Sequence, residues 1–391
     1  MNILVLGTGF QGRAVIHDLE QSPEVKKIIA ADQDREAAEA YIRKMGFTKT
    51  TAAEVDARNT SELERFVKEA GVDVLVCMLP WDLAYGAAVA ALNAGVHFVD
   101  TSYAGPIWEM DAAVKEKGLT FLVEFGLDPG IDLVMGRWAV DRLDQVHGLN
   151  SYGAGVPEPA CADTNPIRYK LTWTLDGVLK TYVRPARFLK DGKEQTLPGT
   201  DIFKPGNFHV LEVPNLGSFE AYYNGDAVQY IDIFGLKDTV RDMGRFAFRW
   251  PGHCEFWSKM AGLGLLDDTP VSVGESEISP REFLVRQLTP RLQFKPQERD
   301  LVVILVQAWG LKDGRAHQAT CWLIDYRDLE TGLFAMNRTV GYTAGIGARM
   351  ILSGKIASTG VISAARDVSP EDLIPELKRR GMHIEMTDGP K

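Results

Sequence analysis

No stretch of this 391-residue sequence approaches the roughly 20 consecutive apolar residues needed to cross a bilayer, so no membrane partner is expected. Cysteine is scarce. Cys77, Cys161, Cys254 and Cys321 are far apart and form no C-x-x-C pair, which argues against a zinc site or a disulfide framework and fits a reducing, cytoplasmic compartment. No secretory leader is expected either, because the amino terminus opens at once into the first motif. Basic residues are outnumbered: 43 Lys and Arg face 53 Asp and Glu, a formal net charge of −10, and no segment is dense in positive charge. A nucleic-acid surface is therefore not expected. Internal repeats and low-complexity tracts are also absent, leaving an ordinary globular composition, 45% hydrophobic and 25% charged, long enough for two domains.

Glycine, by contrast, sits where it matters. The apolar run Ile3–Leu6 breaks into Gly7-Thr-Gly9-Phe10-Gln11-Gly12 and continues with helical spacing through Leu19. A strand, a tight turn and a helix start in this order form a diphosphate cradle. Gly7 permits the turn, Gly9 lets the backbone approach the phosphates, and Gly12 lets the helix lie on the strand, with free N–H groups and the helix dipole facing the anion. The next strand candidate, Lys27–Ala31, ends at Asp32, about 20 residues beyond Gly12, where a carboxylate accepts hydrogen bonds from the adenosine ribose. A carboxylate there repels a 2′-phosphate, so NAD is expected. Nearby Arg35 keeps NADP as the less favoured alternative.

From residue 1 to about 125, strands and helices alternate: helices near Ala14–Glu20, Arg35–Met45, Thr60–Ala70 and Ala84–Ala94, and strands at Ile28–Ala31, Thr51–Val55, Val72–Met78, Phe98–Val99 and Leu119–Val123. This pattern predicts an α/β, Rossmann-like, doubly wound parallel sheet. Ligands in such sheets lie beyond the carboxyl ends of the strands. That rule selects Asp56 and Ala57 beside the adenine, Leu79 and Pro80 beside the nicotinamide ribose, and the loop Asp100-Thr-Ser-Tyr103. It also selects Glu124-Phe-Gly-Leu-Asp128-Pro-Gly-Ile-Asp132, where carboxylates flank a Pro-Gly turn. Asp128 or Asp132 fits equally as a cap of the helix expected over Leu133–Leu143.

After Leu149 the text becomes rich in Gly, Pro and strand-like segments, including Tyr182–Val183, Phe208–Val213 and Phe219–Tyr223. Leu301–Trp309 is expected to pair with Ala316–Asp325 across the Asp313-Gly314 hairpin signal. An α+β domain for substrate binding and dimerisation is expected here, built on a mixed or antiparallel sheet with a marginal helix at Cys254–Leu263. Thr343–Ile356 is expected to be a helix that packs back on the first domain. It is followed by Gly360–Ile362 and a helix Pro370–Arg379 started by Ser369. The division expected is 1–128 for NAD binding, 129–340 for substrate binding and oligomerisation, and 341–391 as a carboxyl-terminal segment.

Several blocks resemble one family. Glu124–Asp132 is similar to the E-x-G-L-D-P-G-I-D block of saccharopine dehydrogenase-like proteins. Tyr152-Gly-Ala-Gly-Val-Pro157 is similar to their Y-C-G-G-L-P, with Gly153 where the reductases carry cysteine. Asn165–Lys170 with Trp173, Gly177–Leu179 and Gly360-Val361 add to the match. The resemblance implies nicotinamide redox chemistry on an amino acid. Phe248-Arg-Trp-Pro-Gly-His253 resembles the lysine 6-dehydrogenase branch, which oxidises L-lysine with NAD to allysine, cyclising to piperideine-6-carboxylate, and releases ammonia. Saccharopine reductases and carboxynorspermidine-type dehydrogenases are the alternative within the family. A catalytically silent nucleotide-binding scaffold is the alternative outside enzymes.

Amine oxidation needs a base for the ammonium proton, and Asp128 and Glu124 are the candidates, with Tyr103 orienting the amine or water. An α-carboxylate calls for the planar fork of an arginine. The resemblance places Arg249 in the substrate segment, ahead of Arg168 and Arg245. Asn224 offers a polar contact, although Asn-Gly is first a turn, and His253 offers a second acid–base group. No catalytic metal is indicated, and a homo-oligomer, a dimer or larger, is expected.

Overall fold

The structure, a computed structural model, describes the whole chain, Met1–Lys391, which divides into two compact units. The first comprises Met1–Arg137 and Asn337–Gly381, and the second Trp138–Met336 and Met382–Lys391. No helix is long and apolar enough to cross a membrane.

In the first unit, strands β1 (Asn2–Leu6), β2 (Lys27–Asp32), β3 (Thr50–Glu54), β4 (Val74–Cys77), β5 (His97–Asp100) and β6 (Thr120–Val123) form one sheet. A seventh strand, Gly360–Ser363, joins beside β6, and the order is Gly360–Ser363, β6, β5, β4, β1, β2, β3, with every pairing parallel. The central strands are buried on both faces, which is why they are apolar throughout rather than alternating. The strand order reverses at the β1–β4 boundary, so the carboxyl ends of those two strands open the ligand crevice typical of such sheets.

Helix boundaries follow local chemistry. Arg35–Met45 starts where Asp34 accepts a hydrogen bond from the Ala37 amide, and it stops at Gly46, whose φ of 67° suits glycine. Thr60–Ala70 repeats the device with Asn59 and Gly71. The carboxyl-terminal part of the unit is tied to helix α1 (Phe10–Gln21) by an ionic bridge, in which Arg380 binds Asp18 on one side and Glu376 on the other. Ser369 occupies the cap position of Pro370–Arg379, but its hydroxyl donates to Glu371 rather than serving a backbone amide. The helix start is therefore set by Pro370 and the first-turn acids.

The second unit is built on a nine-stranded mixed sheet. Its spine runs Phe208–Val213, Gly217–Tyr223, Asp242–Arg249, Gln145–Pro157, Asp300–Lys312, Arg315–Tyr326 and His383–Pro390, with Ala186–Lys190 and Lys193–Leu197 branching from Asp242–Arg249. Only Asp242–Arg249 and Gln145–Pro157 run parallel. The hairpin expected across Asp313-Gly314 forms, with both residues at positive φ, 50° and 71°. One segment departs from the sequence reading. Tyr182 closes a helix, Leu175–Tyr182, rather than a strand, because Leu175, Val178, Leu179 and Tyr182 recur at helical spacing and are buried together.

Asp300 starts a central strand of this sheet and is fully buried, its two oxygens accepting the amides of Ala335 (2.8 Å) and Met336 (3.0 Å) at the start of helix Ala335–Leu352. Burial pushes its carboxyl up to about 7, against the help of those amides. A raised carboxyl favours the protonated fold, so its contribution is fully present below about pH 4 and is lost as pH rises towards 7. Relative to wild type, Asp300→Asn is expected to gain stability between pH 5 and pH 8, by an amount on the order of 4 kcal/mol at most, in urea unfolding. An unchanged difference across that range would refute the assignment.

Candidate active site

The glycine turn forms as its sequence requires. Gly7 has a φ of 94°, and a Cβ added there meets the Met78 carbonyl at 2.9 Å. At Gly12 a Cβ would stand 1.9 Å from the Gly7 oxygen. Gly9 differs, because a Cβ there touches nothing, and it caps α1 with no side-chain hydrogen bond to the helix amides. A turn pressed against protein on two sides and open on the third, with uncapped amides, fits a dinucleotide diphosphate. Phe10 stands exposed on this turn and Gln11 half-buried behind it.

Asp32 closes β2, and its Oδ2 accepts both the amide (2.6 Å) and the hydroxyl (3.0 Å) of Thr8, while Oδ1 accepts the Asp34 amide. The acid is thus fixed against the glycine turn. Arg35 is paired on the surface with Glu39 at 2.8 Å. Asp56 and Ala57 follow β3, but the Asp56 carboxylate forms an exposed pair with Arg58 (2.9 Å), whose hydrogen bonds hold it below its usual range. Leu79 and Pro80 lead from β4 into helix Trp81–Ala94, and Leu79 is a close neighbour of Gly7.

At the ends of β5 and β6 stand the acid-rich loops. Tyr103 is half-buried, and Glu124, fully buried, accepts the Ala104 amide at 3.1 Å. Glu124 has a φ of 57°, a left-handed conformation uncommon outside glycine. Asp132 lies within helix Ile131–Val140 and turns back to accept the Gly130 amide at 2.9 Å, fixing the turn that leads into the helix. Asp128, half-buried, precedes a cis proline in the Pro-Gly turn. Gly130 is required, since a Cβ there would meet the Gly126 amide at 2.3 Å.

The second unit holds a buried cation. Arg249 ends strand Asp242–Arg249, is 9% exposed, and has no carboxylate within ion-pairing distance. Its register partner Glu220 is occupied by the amides of Gly252 (2.9 Å) and Cys254 (2.7 Å), holding the Trp-Pro-Gly-His turn and the start of helix His253–Gly262. The guanidinium lies over the rings of Tyr169 (5.5 Å) and Tyr222 (5.9 Å), with the Tyr182 hydroxyl beside it. Its Nη1 donates to the Phe248 carbonyl at 2.7 Å.

His253 stacks on Tyr222 at 6.0 Å, and Trp257 packs on Tyr182 at 5.0 Å. Arg249 Nε, Tyr169 Oη, His253 Nε2 and Trp257 Nε1 are buried without hydrogen-bond partners. Burial acts against the Arg249 charge, but a guanidinium keeps its proton, and the Tyr182 hydroxyl and the tyrosine ring faces replace part of its lost hydration. Burial pushes the tyrosine hydroxyls well up, so they remain protonated donors. An unpaired buried cation among orphaned polar atoms is costly unless an anion completes it.

Burial, with the Arg249 charge second, pushes His253 well below the usual histidine range. It is a neutral hydrogen-bonding group at pH 7, which corrects the expectation of a second acid–base residue. Two other expected substrate residues lie outside this ring of aromatics. Arg168 is paired with Asp163 (2.7 Å) and rests over Trp250, and Asn224 accepts from Arg184 at 3.0 Å. Arg245, also buried, lies over Tyr230 at 4.9 Å.

The sequence profile of the saccharopine dehydrogenase NADP binding domain matches residues 3–122, and that of the saccharopine dehydrogenase C-terminal domain matches residues 126–382. The chain belongs to the saccharopine dehydrogenase family. It is thereby an amino-acid oxidoreductase whose first unit is a nicotinamide dinucleotide-binding domain. Among its relatives is the saccharopine dehydrogenase [NADP(+), L-glutamate-forming] of Saccharomyces cerevisiae, 25% identical with 96% of each chain covered. The carboxyaminopropylagmatine dehydrogenase of Synechocystis is 22% identical, over 99% of this chain and 98% of that one. The bovine mitochondrial alpha-aminoadipic semialdehyde synthase is 24% identical, but this chain spans only 47% of its length. The fold is that of the apo yeast saccharopine dehydrogenase (L-Glu forming), with a TM-score of 0.86 over 99% of both chains at 23% identity.

Within this family framework, sequence reasoning reached Arg249 and His253 but not Tyr169, Tyr182, Tyr222 and Trp257, the rings around them. Tyr169 lies in the Asn165–Lys170 block that the resemblance marked. The others read as ordinary core aromatics.

Proposed function

We propose that the chain is an NAD-dependent dehydrogenase of the CH–NH2 group of an amino acid, with L-lysine as substrate and allysine and ammonia as products. The observation that carries this reading is the buried, carboxylate-free Arg249, whose planar fork suits an α-carboxylate. The Tyr169, Tyr182 and Trp257 donors add contacts to the same anion, and neutral His253 contributes a hydrogen bond without a competing charge. When bound, a nicotinamide dinucleotide supplies the hydride acceptor. Gly7, Gly9, Phe10, Gln11 and Gly12 would hold its diphosphate, Asp32 its ribose, Ala57 its adenine side, and Leu79 and Pro80 its nicotinamide side. Asp32, fixed by Thr8, opposes a 2′-phosphate, while Arg35 is turned to Glu39, which supports NAD.

In this reading Asp128 and Glu124 take the ammonium proton so that the amine nitrogen lone pair is free, and Tyr103 orients the amine and then the water that hydrolyses the imine. The activities of the yeast and Synechocystis relatives support a second reading, a saccharopine-type secondary-amine dehydrogenase. One experiment separates the two: the chain is offered L-lysine or saccharopine with NAD or NADP, and reduced cofactor and ammonia are measured together.

NADH and ammonia are expected in equal amounts from lysine. Asp128→Asn is expected to lower kcat by about 10²- to 10⁴-fold with cofactor affinity unchanged. Reduced cofactor from saccharopine without ammonia establishes the second reading. Dinucleotide binding with no turnover of any amine leaves the silent scaffold.

A further inference from the structure

Beneath the acid-rich loops, three titratable groups stand on neighbouring strand ends. Cys77 closes β4, Asp100 closes β5, and Glu124 follows β6. Cys77 and Asp100 are register partners, and the amide of Phe125, next to Glu124, donates to the Asp100 carbonyl at 2.9 Å. The Asp100 carboxyl is completely buried. Its Oδ1 has no hydrogen-bond partner, its Oδ2 is held by the Ser102 amide at 3.3 Å, and no cation pairs with it. Glu124 is buried too, pinned by the Ala104 amide and by its left-handed backbone. Two neighbouring carboxyls taken out of water cannot both ionise cheaply, so one of the two keeps its proton.

We propose that Asp100 and Glu124 share one proton at neutral pH, and that Asp100 is the positioning residue that leaves Glu124 as the single charged acceptor. This rests on the proposed role of Glu124 in amine deprotonation. There, one ammonium N–H bond breaks, an O–H bond forms on Glu124, and the pair passes from one negative charge to none until solvent takes the proton. Glu124 does the transfer. Asp100 acts by being neutral, since a second charge at its position would raise the proton affinity of Glu124 and hold the proton after transfer.

The surroundings agree. Burial first, and the charge of Glu124 with it, push Asp100 up to about 7 against the amides of Thr101 and Ser102 and the Cys77 thiol. The titratable groups that face Asp100 are Cys77 from β4 and Glu124 from the end of β6, while Tyr103 lies on its own loop. Cys77 is pushed well above the ordinary thiol range by burial and by Asp100, so it stays a neutral S–H.

The test needs no substrate. Infrared pH-difference spectra of the full chain are expected to show a protonated-carboxyl band that vanishes as pH rises through about 7. The wild-type minus Asp100→Asn spectrum isolates it from Asp300. Glu124→Gln, which removes the neighbouring charge, is expected to move that midpoint at least tenfold in proton concentration towards acid, about one pH unit. It also serves if Asp100→Asn fails to fold. No band titrating between about pH 5 and pH 9, or a midpoint indifferent to Glu124→Gln, overturns the proposal whatever the amine assay returns. If lysine is turned over, Asp100→Asn is expected to remove the step near neutrality from the kcat/KM profile. A profile that keeps the step also overturns it.

Discussion

Replacing Arg249 with methionine is expected to cut kcat/KM for the amino-acid substrate by about 10²- to 10³-fold while making the ligand-free chain more stable. The two effects have one cause. A buried guanidinium with no carboxylate partner has lost its hydration and regained only a carbonyl, a tyrosine hydroxyl and ring faces. An apolar side chain of similar length removes that deficit, and even buried ion pairs replaced in this way leave stability unchanged or raise it by roughly 1–4 kcal/mol. The same change removes the fork for an incoming carboxylate, a loss of roughly 2–5 kcal/mol for a buried charged hydrogen bond.

Thermal unfolding without ligand and steady-state kinetics measure the two halves separately. A purely structural Arg249 gives the opposite pair of results: lower Tm, with kinetics altered only through the loss of folded chain. In the proposed reaction of L-lysine, loss should appear in KM before kcat, because the carboxylate is then distant from the carbon that is oxidised and is bound alike before and during the chemistry.

Two alanine substitutions in the glycine turn are expected to separate folding from cofactor binding. At Gly12 the new methyl meets the Gly7 carbonyl at 1.9 Å, backbone against backbone, so α1 must move off β1. A loss of several kcal/mol of stability, and with it the cofactor site, is expected in chemical unfolding. At Gly9 the methyl meets no protein atom, and the φ of −65° is open to any residue. Stability should be unchanged or slightly higher, whereas a dinucleotide whose diphosphate rests on that face, as proposed, should bind about 10- to 100-fold more weakly in calorimetric titration. Equal binding by Gly9→Ala and wild type would show that the phosphates lie elsewhere.

The parts of this molecule that could be read from the sequence are those where the backbone dictates the residue. Gly7 and Gly12 are legible because no side chain fits, and Asp34, Asn59, Gly46 and Gly71 mark helix ends because an amide or a positive φ demands them. The hairpin at Asp313-Gly314 belongs to the same class.

What escaped reading depends on contacts between distant segments. Tyr169, Tyr182, Tyr222 and Trp257 come from a loop, a helix, a strand and a second helix, and nothing in an isolated tyrosine distinguishes a core ring from one that flanks a guanidinium. Asp100 looked like a polar residue opening a loop. Only the strands on either side of it make it a buried acid. Helix Leu175–Tyr182 was legible in its spacing, but its last residue, Tyr182, and the valine that caps it, Val183, read as strand-forming when taken alone.

The seventh strand of the first sheet bears on how the protein is made. Gly360–Ser363 seals the flank of β6, whose four residues are all buried, yet it is synthesised more than two hundred residues later. At about 5–20 residues per second, the ribosome leaves that apolar flank unsealed for a time on the order of ten to fifty seconds. During this interval the nascent domain offers a hydrophobic template to any passing extended peptide. Chaperone dependence in expression should therefore track the arrival of residue 363 rather than completion of the nucleotide cradle.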